Sequence, residues 1–114
     1  IGRWRPASRY DLVFCTFALP ARGMGRSRML DMAAAAVAPG GTILLSEFDS
    51  CLRREGWMAE KYLVSLEELE RHLSGFRVDR AVVSKARHRH GYEERVLPVA
   101  QVVATRRIEM RTSF

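Results

Sequence analysis

The stretch "VAPGGTILLSEFD", Val37 to Asp49, limits what this chain can fold into more than any other. After Pro39-Gly40-Gly41 its residues Thr42 to Phe48, "TILLSEF", form an apolar run without alternation, the pattern of a strand covered on both faces. Strands of that kind belong to parallel sheets, and a parallel pair needs a crossover element between its strands. Both missing pieces lie upstream. "YDLVFCTF", Tyr10 to Phe17, is a second run of β-branched and aromatic residues and is also predicted to be covered on both faces. Between the two runs, Met29, Leu30, Ala33, Ala34 and Val37 recur at three- and four-residue spacing over an Ala-rich segment, which predicts a helix. Pro39-Gly40-Gly41 is expected to stop that helix, since Pro breaks the ladder and Gly tolerates the left-handed cap. Residues 10–48 therefore read as a βαβ unit, parallel and right-handed.

Downstream, "DSCLRREGWMAEKYLV" over 49–64 is polar with isolated large apolar residues, and reads as a loop or a broken helix. "SLEELERHL" opens a helix over 65–74. Ser65 and Glu68 have capping-box spacing, and Leu66, Leu69 and Leu73 share one face. Gly75 ends it. "FRVDRAVVSKARHR" and "RVLPVAQVVATRR" then form an antiparallel hairpin over 76–105, turning near "HGYEE". In the first strand Phe76, Val78 and Val82 alternate with Arg77 and Asp79, as on an edge. The second strand is apolar on both faces from Val96 to Val103, as a central strand is. Pro98 removes one ladder donor from it.

At 114 residues, 47% hydrophobic and 28% charged, the composition is that of one globular domain. No apolar run approaches the ~20 residues of a membrane span and no leader pattern is visible, so a cytoplasmic location is expected. Cys15 and Cys51 lack metal-site spacing and read as two free buried thiols. The net charge of +6 and pI near 10.1 suggest polyanion binding. However, the arginines are scattered from Arg3 to Arg111 instead of forming one block, which argues against a nucleic-acid partner.

"YDLVFCTFALP", "VAPGGTILLSEF", "YLVSLEELERHLSGFRVDRAVVSKARHRHG" and "VLPVAQVVATRR", in this order and spacing, resemble the C-terminal half of class I S-adenosylmethionine-dependent methyltransferases, the tellurite-resistance type above all. The resemblance covers nearly the whole chain after residue 9. It implies an α/β fold, the second half of a Rossmann-like sheet with strands ordered 4-5-7-6, the last antiparallel, and helices packed on it. It also implies that methyl transfer from S-adenosylmethionine to a small-molecule acceptor is the activity of the larger or oligomeric enzyme. The family's Gly-rich cofactor loop follows its first strand, and the nine residues before Tyr10 are too few to hold that half. A partial domain is therefore expected, residues 1–9 being a remnant connection. A homodimer or a second chain would supply the missing half, or the chain would serve as a non-catalytic dimerisation or partner-binding module.

By the same resemblance, Cys15, Thr16 and Phe17 at the carboxyl end of the first strand are the cofactor-binding candidates. Glu47 and Asp49, closing the second strand, are the substrate candidates. No catalytic residue stands out, as befits a reaction in which the protein mainly positions the acceptor. Ala18 stands where related sequences often carry His. "GMG" at Gly23–Gly25 lacks the third Gly of a nucleotide loop and reads as a helix start. His88 and His90 at i, i+2 could face one ion, but no third ligand is near and arginines surround them, so no metal is expected. His72 reads as a surface residue, Asp11 as a cap or turn residue at the far end from the crevice, and Trp4 as part of the remnant connection.

Overall fold

In the computed structural model, which describes residues 8–55 and 59–108, the two runs singled out above pair in parallel. They are β1 (Tyr10–Thr16) and β2 (Val37–Phe48), connected by helix α1 (Met24–Ala35). Helix α2 (Leu66–Arg71) leads into the hairpin strands β3 (Phe76–His90) and β4 (Glu93–Arg106). β4 inserts between β2 and β3, antiparallel to both, so the order is β1-β2-β4-β3. This is the expected 4-5-7-6 arrangement, with the most apolar hairpin strand inside.

Two details of β2 differ from the sequence reading. The helix ends at Ala35, and Val37 is the first residue of the strand, fully buried and paired with Tyr10. Pro39-Gly40-Gly41 is thus not the helix stop but an irregularity inside the strand. The register passes from Tyr10↔Val37 to Leu12↔Thr42, so residues 38–41 loop out opposite Asp11 alone. Helical geometry is already disfavoured for Ala38 by the following Pro39. The loop returns at Gly41, where a Cβ would lie 2.9 Å from the Ala38 carbonyl oxygen and 3.0 Å from that of Asp11. Both obstacles are backbone, so a side chain there must push β1 away from β2. Gly41→Val is expected to cost about 2–3 kcal/mol by overpacking, read as a lowered urea midpoint.

The segment 49–64 is a broken helix as far as it is described, with 3-10 turns at Ser50–Glu55 and Glu60–Tyr62. Trp57 and Met58 lie outside the described residues, as does Trp4 with most of the presumed connection. Ser65 caps α2 as its spacing foretold, its hydroxyl accepting from the Glu68 N–H at 3.1 Å.

Apolar side chains gather on both sides of the sheet. On one face Leu30 and Ala34 of α1 and Leu69 of α2 pack on Val37, Ile43, Leu45, Ala100, Val102 and Ala104. On the other, a smaller cluster joins Phe48, Leu52, Leu63, Leu97 and Val99. β1 departs from its expected double cover. Val13 and Cys15 are half-buried toward α1, but Leu12 and Phe14 on the opposite face are 60% and 66% exposed. The reason is position: β1 is the sheet's edge, and no described element covers its second face.

β3 departs from simple alternation. Its register steps from Val78↔Ala104 to Arg80↔Val103, leaving Asp79 as a bulged extra residue. After the bulge the faces exchange, so Ala81 rather than Val82 shares the core face with Phe76. The Asp79 carboxylate accepts from the Thr105 hydroxyl and from Arg77, and these bonds hold its carboxyl below the usual range. Pro98 fits because its carbonyl accepts from the Asp49 N–H past the last β2–β4 rung. In an antiparallel ladder a residue's N and O face the same neighbour. The missing Pro98 donor therefore points away from β3.

Candidate functional site

In open α/β sheets ligands gather beyond the carboxyl ends of the parallel strands. Here that end is made by the residues following Thr16 on β1 and Phe48 on β2. Phe17 leaves β1 with φ of +52°, the left-handed region that a bulky side chain seldom occupies. Its N–H still donates to the Ser46 carbonyl at 2.9 Å, so the turn begins while the backbone is tied to β2. The turn throws the Phe17 ring over the strand ends, 4.9 Å from the Phe48 ring and 5.8 Å from that of His88. His88 meets Phe48 edge-on at 4.9 Å. Phe48 is buried whereas Phe17 stays 44% exposed, so Phe17 forms the open rim of this aromatic group.

Glu47 is buried, on the strand face that looks toward Cys15. Its carboxylate accepts from the Phe48 N–H at 3.1 Å and from the Leu19 N–H at 3.4 Å, which holds the loop after β1 against the end of β2. Burial raises the Glu47 carboxyl above its ordinary 4.5, outweighing those N–H groups and the Arg26 charge. It also raises the Cys15 thiol, with Glu47 adding to the effect. The native state therefore holds a proton on Glu47 more tightly than the unfolded chain does. The contribution of Glu47 to stability is fully present below the ordinary value and is lost as pH rises through the raised one. Glu47→Gln is expected to remove that contribution, so that the thermal midpoint declines less between pH 4.5 and neutrality than it does in the parent.

Asp49 is buried too, but its carboxylate accepts from the Cys51 N–H at 2.9 Å and so starts the 3-10 turn that follows. Its backbone forms a parallel bridge with Val64. The cysteines are less covered than expected, Cys51 being exposed on the 3-10 turn and Cys15 half-buried. Cys15 and the exposed Thr16 line an open apolar groove of about 610 Å³ between β1 and α1, together with Tyr10, Met29, Met32 and Ala33. Of the candidates, Cys15 and Thr16 line this groove, whereas the Phe17 ring packs with Phe48 and His88 and Glu47 holds the loop after β1 by its bond to Leu19. His88 is taken up by the aromatic group, and no cluster suited to a metal ion occurs among the described residues. His72 is partly buried, its Nδ1 2.7 Å from Asp31, a link between the two helices.

The group that organises this end of the molecule escaped the sequence reading. Arg26, in the first turns of α1, is 1% exposed. Its Nε donates to the Pro20 carbonyl, one Nη to the carbonyl of Leu63 and to both carboxylate oxygens of Glu68, and the other Nη to the Lys61 carbonyl, all at 2.8–3.1 Å. One side chain therefore ties the loop after β1 to the 3-10 segment and to α2. The signal was available: Arg26, Leu30 and Ala34 lie four apart, which puts the cation on the core-facing stripe of the helix.

No family model matches the sequence, and no curated protein matches it either. Solved structures do match. An S-adenosylmethionine-dependent methyltransferase from Methanosarcina mazei superposes with a TM-score of 0.70 at 16% identity, over 91% of this chain and 64% of that one. TehB from Haemophilus influenzae gives 0.71 at 12% identity, over 90% and 37%. The N-methyltransferase NodS from Bradyrhizobium japonicum, in complex with S-adenosyl-L-homocysteine, gives 0.63 at 15%, over 92% and 50%. The chain has the fold of part of an S-adenosylmethionine-dependent methyltransferase, and it spans less than two thirds of each of these neighbours.

Proposed function

We propose that this chain is one wall of a methyltransferase that moves a methyl group from S-adenosylmethionine to a small-molecule acceptor. The observation that carries the reading is the pairing of this strand order with a rim at the carboxyl ends of β1 and β2 built from Phe17, Thr16 and Glu47. The exposed Phe17 ring and the uncharged backbone of 15–17 suit the planar and apolar parts of such a cofactor. S-adenosylmethionine, when bound, supplies an electrophilic methyl on a sulfonium centre. The work left to the protein is to line up an acceptor lone pair and to exclude water, which demands rigid placement more than acid–base side chains. Glu47 would give that rigidity by holding the 17–19 loop, and Phe17 would shield one side of the acceptor. Asp49 would act on the acceptor through the turn it caps.

Calorimetric titration of S-adenosylhomocysteine, with the mass of the same sample measured by light scattering, tests this. Micromolar binding that weakens at least fivefold in Phe17→Ala is the expected result. No heat from a folded sample overturns the reading for this chain.

A second reading, a partner-binding or dimerisation module, is favoured by the contrast between the two sheet edges. β3 carries Arg77, Asp79, Lys85, Arg87 and Arg89, charges of the kind that keep an edge from pairing. β1 carries only Asp11, and leaves Leu12 and Phe14 exposed beside an apolar groove. An antiparallel two-fold pairing centred on Val13 would set Leu12 of one copy opposite Phe14 of the other. A doubled mass that returns to monomer in Phe14→Lys, with no S-adenosylhomocysteine bound by either, would select this reading.

A further inference from the structure

The hairpin outruns the sheet. β2 pairs with β4 only from Thr42↔Thr105 to Phe48↔Val99, whereas β3 and β4 stay paired as far as His90↔Glu93. Beyond Val99 the hairpin is a two-stranded arm projecting past the carboxyl end of β2. It is anchored on one face, where Ala86 and Leu97 pack against Phe48, Leu52 and Leu63.

The opposite face of the arm holds the register positions of Lys85, Arg87 and Arg89, set against Pro98, Val96 and Glu94. Lys85, Arg87 and Arg89 are all exposed, and Val96 beside them is 58% exposed. Lys85 and Arg89 have no acidic partner among the described residues, and Arg87 reaches Glu94 only at 3.8 Å with its side chain 82% exposed. The other acid of the turn, Glu93, pairs with Arg95 on the anchored face. Alternate residues of a strand lie ~6.6–6.8 Å apart on one face. The three cations therefore follow one another along one face of the ribbon instead of ringing a pocket. Such a row does not converge on one small anion, and it suits a polyanion whose charges recur at similar intervals. At the tip, Tyr92 is fully exposed.

We propose that the β3–β4 arm binds single-stranded nucleic acid, with Lys85, Arg87 and Arg89 tracking successive phosphates and the Tyr92 ring stacking on a base. Cations along a backbone track combined with an exposed aromatic ring are the two elements from which sequence-tolerant single-strand binding is built. The choice of nucleic acid over an acidic peptide rests on Tyr92, for which a peptide carboxylate has no use. The arginines looked scattered along the chain, and the ladder gathers the arm's share onto one face. The proposal does not depend on the methyltransferase reading.

The test is fluorescence anisotropy of a labelled single-stranded oligonucleotide titrated with the 114-residue chain at several salt concentrations. Three neutralised phosphates on a single strand give a log–log slope near −2, so affinity is expected to fall about twenty-fold between 50 and 200 mM salt. K85Q/R87Q/R89Q is expected to flatten that slope and weaken binding at least tenfold at low salt. Y92A is expected to weaken binding about fivefold or more with the slope unchanged. R22Q/R28Q/R71Q removes the same charge from exposed positions elsewhere and is expected to keep the slope. Circular dichroism confirms that each variant is folded. Absence of binding by the folded chain, an equal loss in the R22Q/R28Q/R71Q control, or equal affinity for polyglutamate with Y92A silent each overturns the assignment.

Discussion

Arg26→Ala is expected to destabilise the fold by about 3–5 kcal/mol, a large part of the total stability of a domain this size. The cost comes from what is left behind. Glu68, whose side chain is 19% exposed, loses its counter-charge, and the carbonyls of Pro20, Lys61 and Leu63 lose their donor together. A buried ion pair contributes little beyond a hydrophobic pair of the same shape, but a buried partner left alone is costly. Arg26→Lys should recover little, because an ammonium cannot span carbonyls on both sides of a carboxylate as the planar guanidinium does. R26L/E68L should recover part of the loss, since it removes the stranded carboxylate but not the stranded carbonyls. Urea unfolding of the parent and the three variants checks the series, and a loss below about 1 kcal/mol in Arg26→Ala would show that Arg26 is not the staple described.

Leu69→Ala is expected to cost about 3–4 kcal/mol, near the middle of the range for truncating a fully buried leucine. Leu69 is the only fully buried residue of α2, a helix of six residues that could not persist without tertiary contact. The same helix carries Glu68. Loosening α2 should therefore weaken the Arg26 network as well, so L69A/R26A should lose less than the sum of the single changes. Additivity within about 0.5 kcal/mol would mean that the two act independently.

The second of these predictions rests on an element that reading by sequence found, the first on a residue that it missed. Helix α2 was legible because all its signals are local: Ser65, Glu68 and the leucine spacing lie within one short window, and the cap bond forms as expected. α1 was legible through its helical period, β1 and β2 through unbroken apolar runs, and the place of β4 between β2 and β3 through its doubly apolar pattern. Of the site candidates, the structure brings Cys15, Thr16, Phe17 and Glu47 to one end of the sheet, which follows directly from where the strands stop.

Arg26 was missed because its meaning is non-local. A helical arginine is ordinarily solvated, and its partners here lie 35 to 42 residues away, apart from Pro20. The irregular start of β2 was misread for a related reason. Pro-Gly-Gly says that the chain bends, but only the close approach of Asp11 to Gly41 decides that the bend interrupts a strand rather than ending a helix.

The amino-acid sequence by itself determined the order and kind of the elements, the parallel unit, the capped helix and the reversed hairpin, because hydrophobic period, turn residues and capping are properties of neighbours along the chain. Only the tertiary structure decided which face of β1 is covered, that Asp79 exchanges the faces of β3, that a cation sits in the core, and that three others line one side of an arm. Those outcomes depend on strand register and on groups far apart in sequence, and a shift of a single residue in register moves every side chain to the other face.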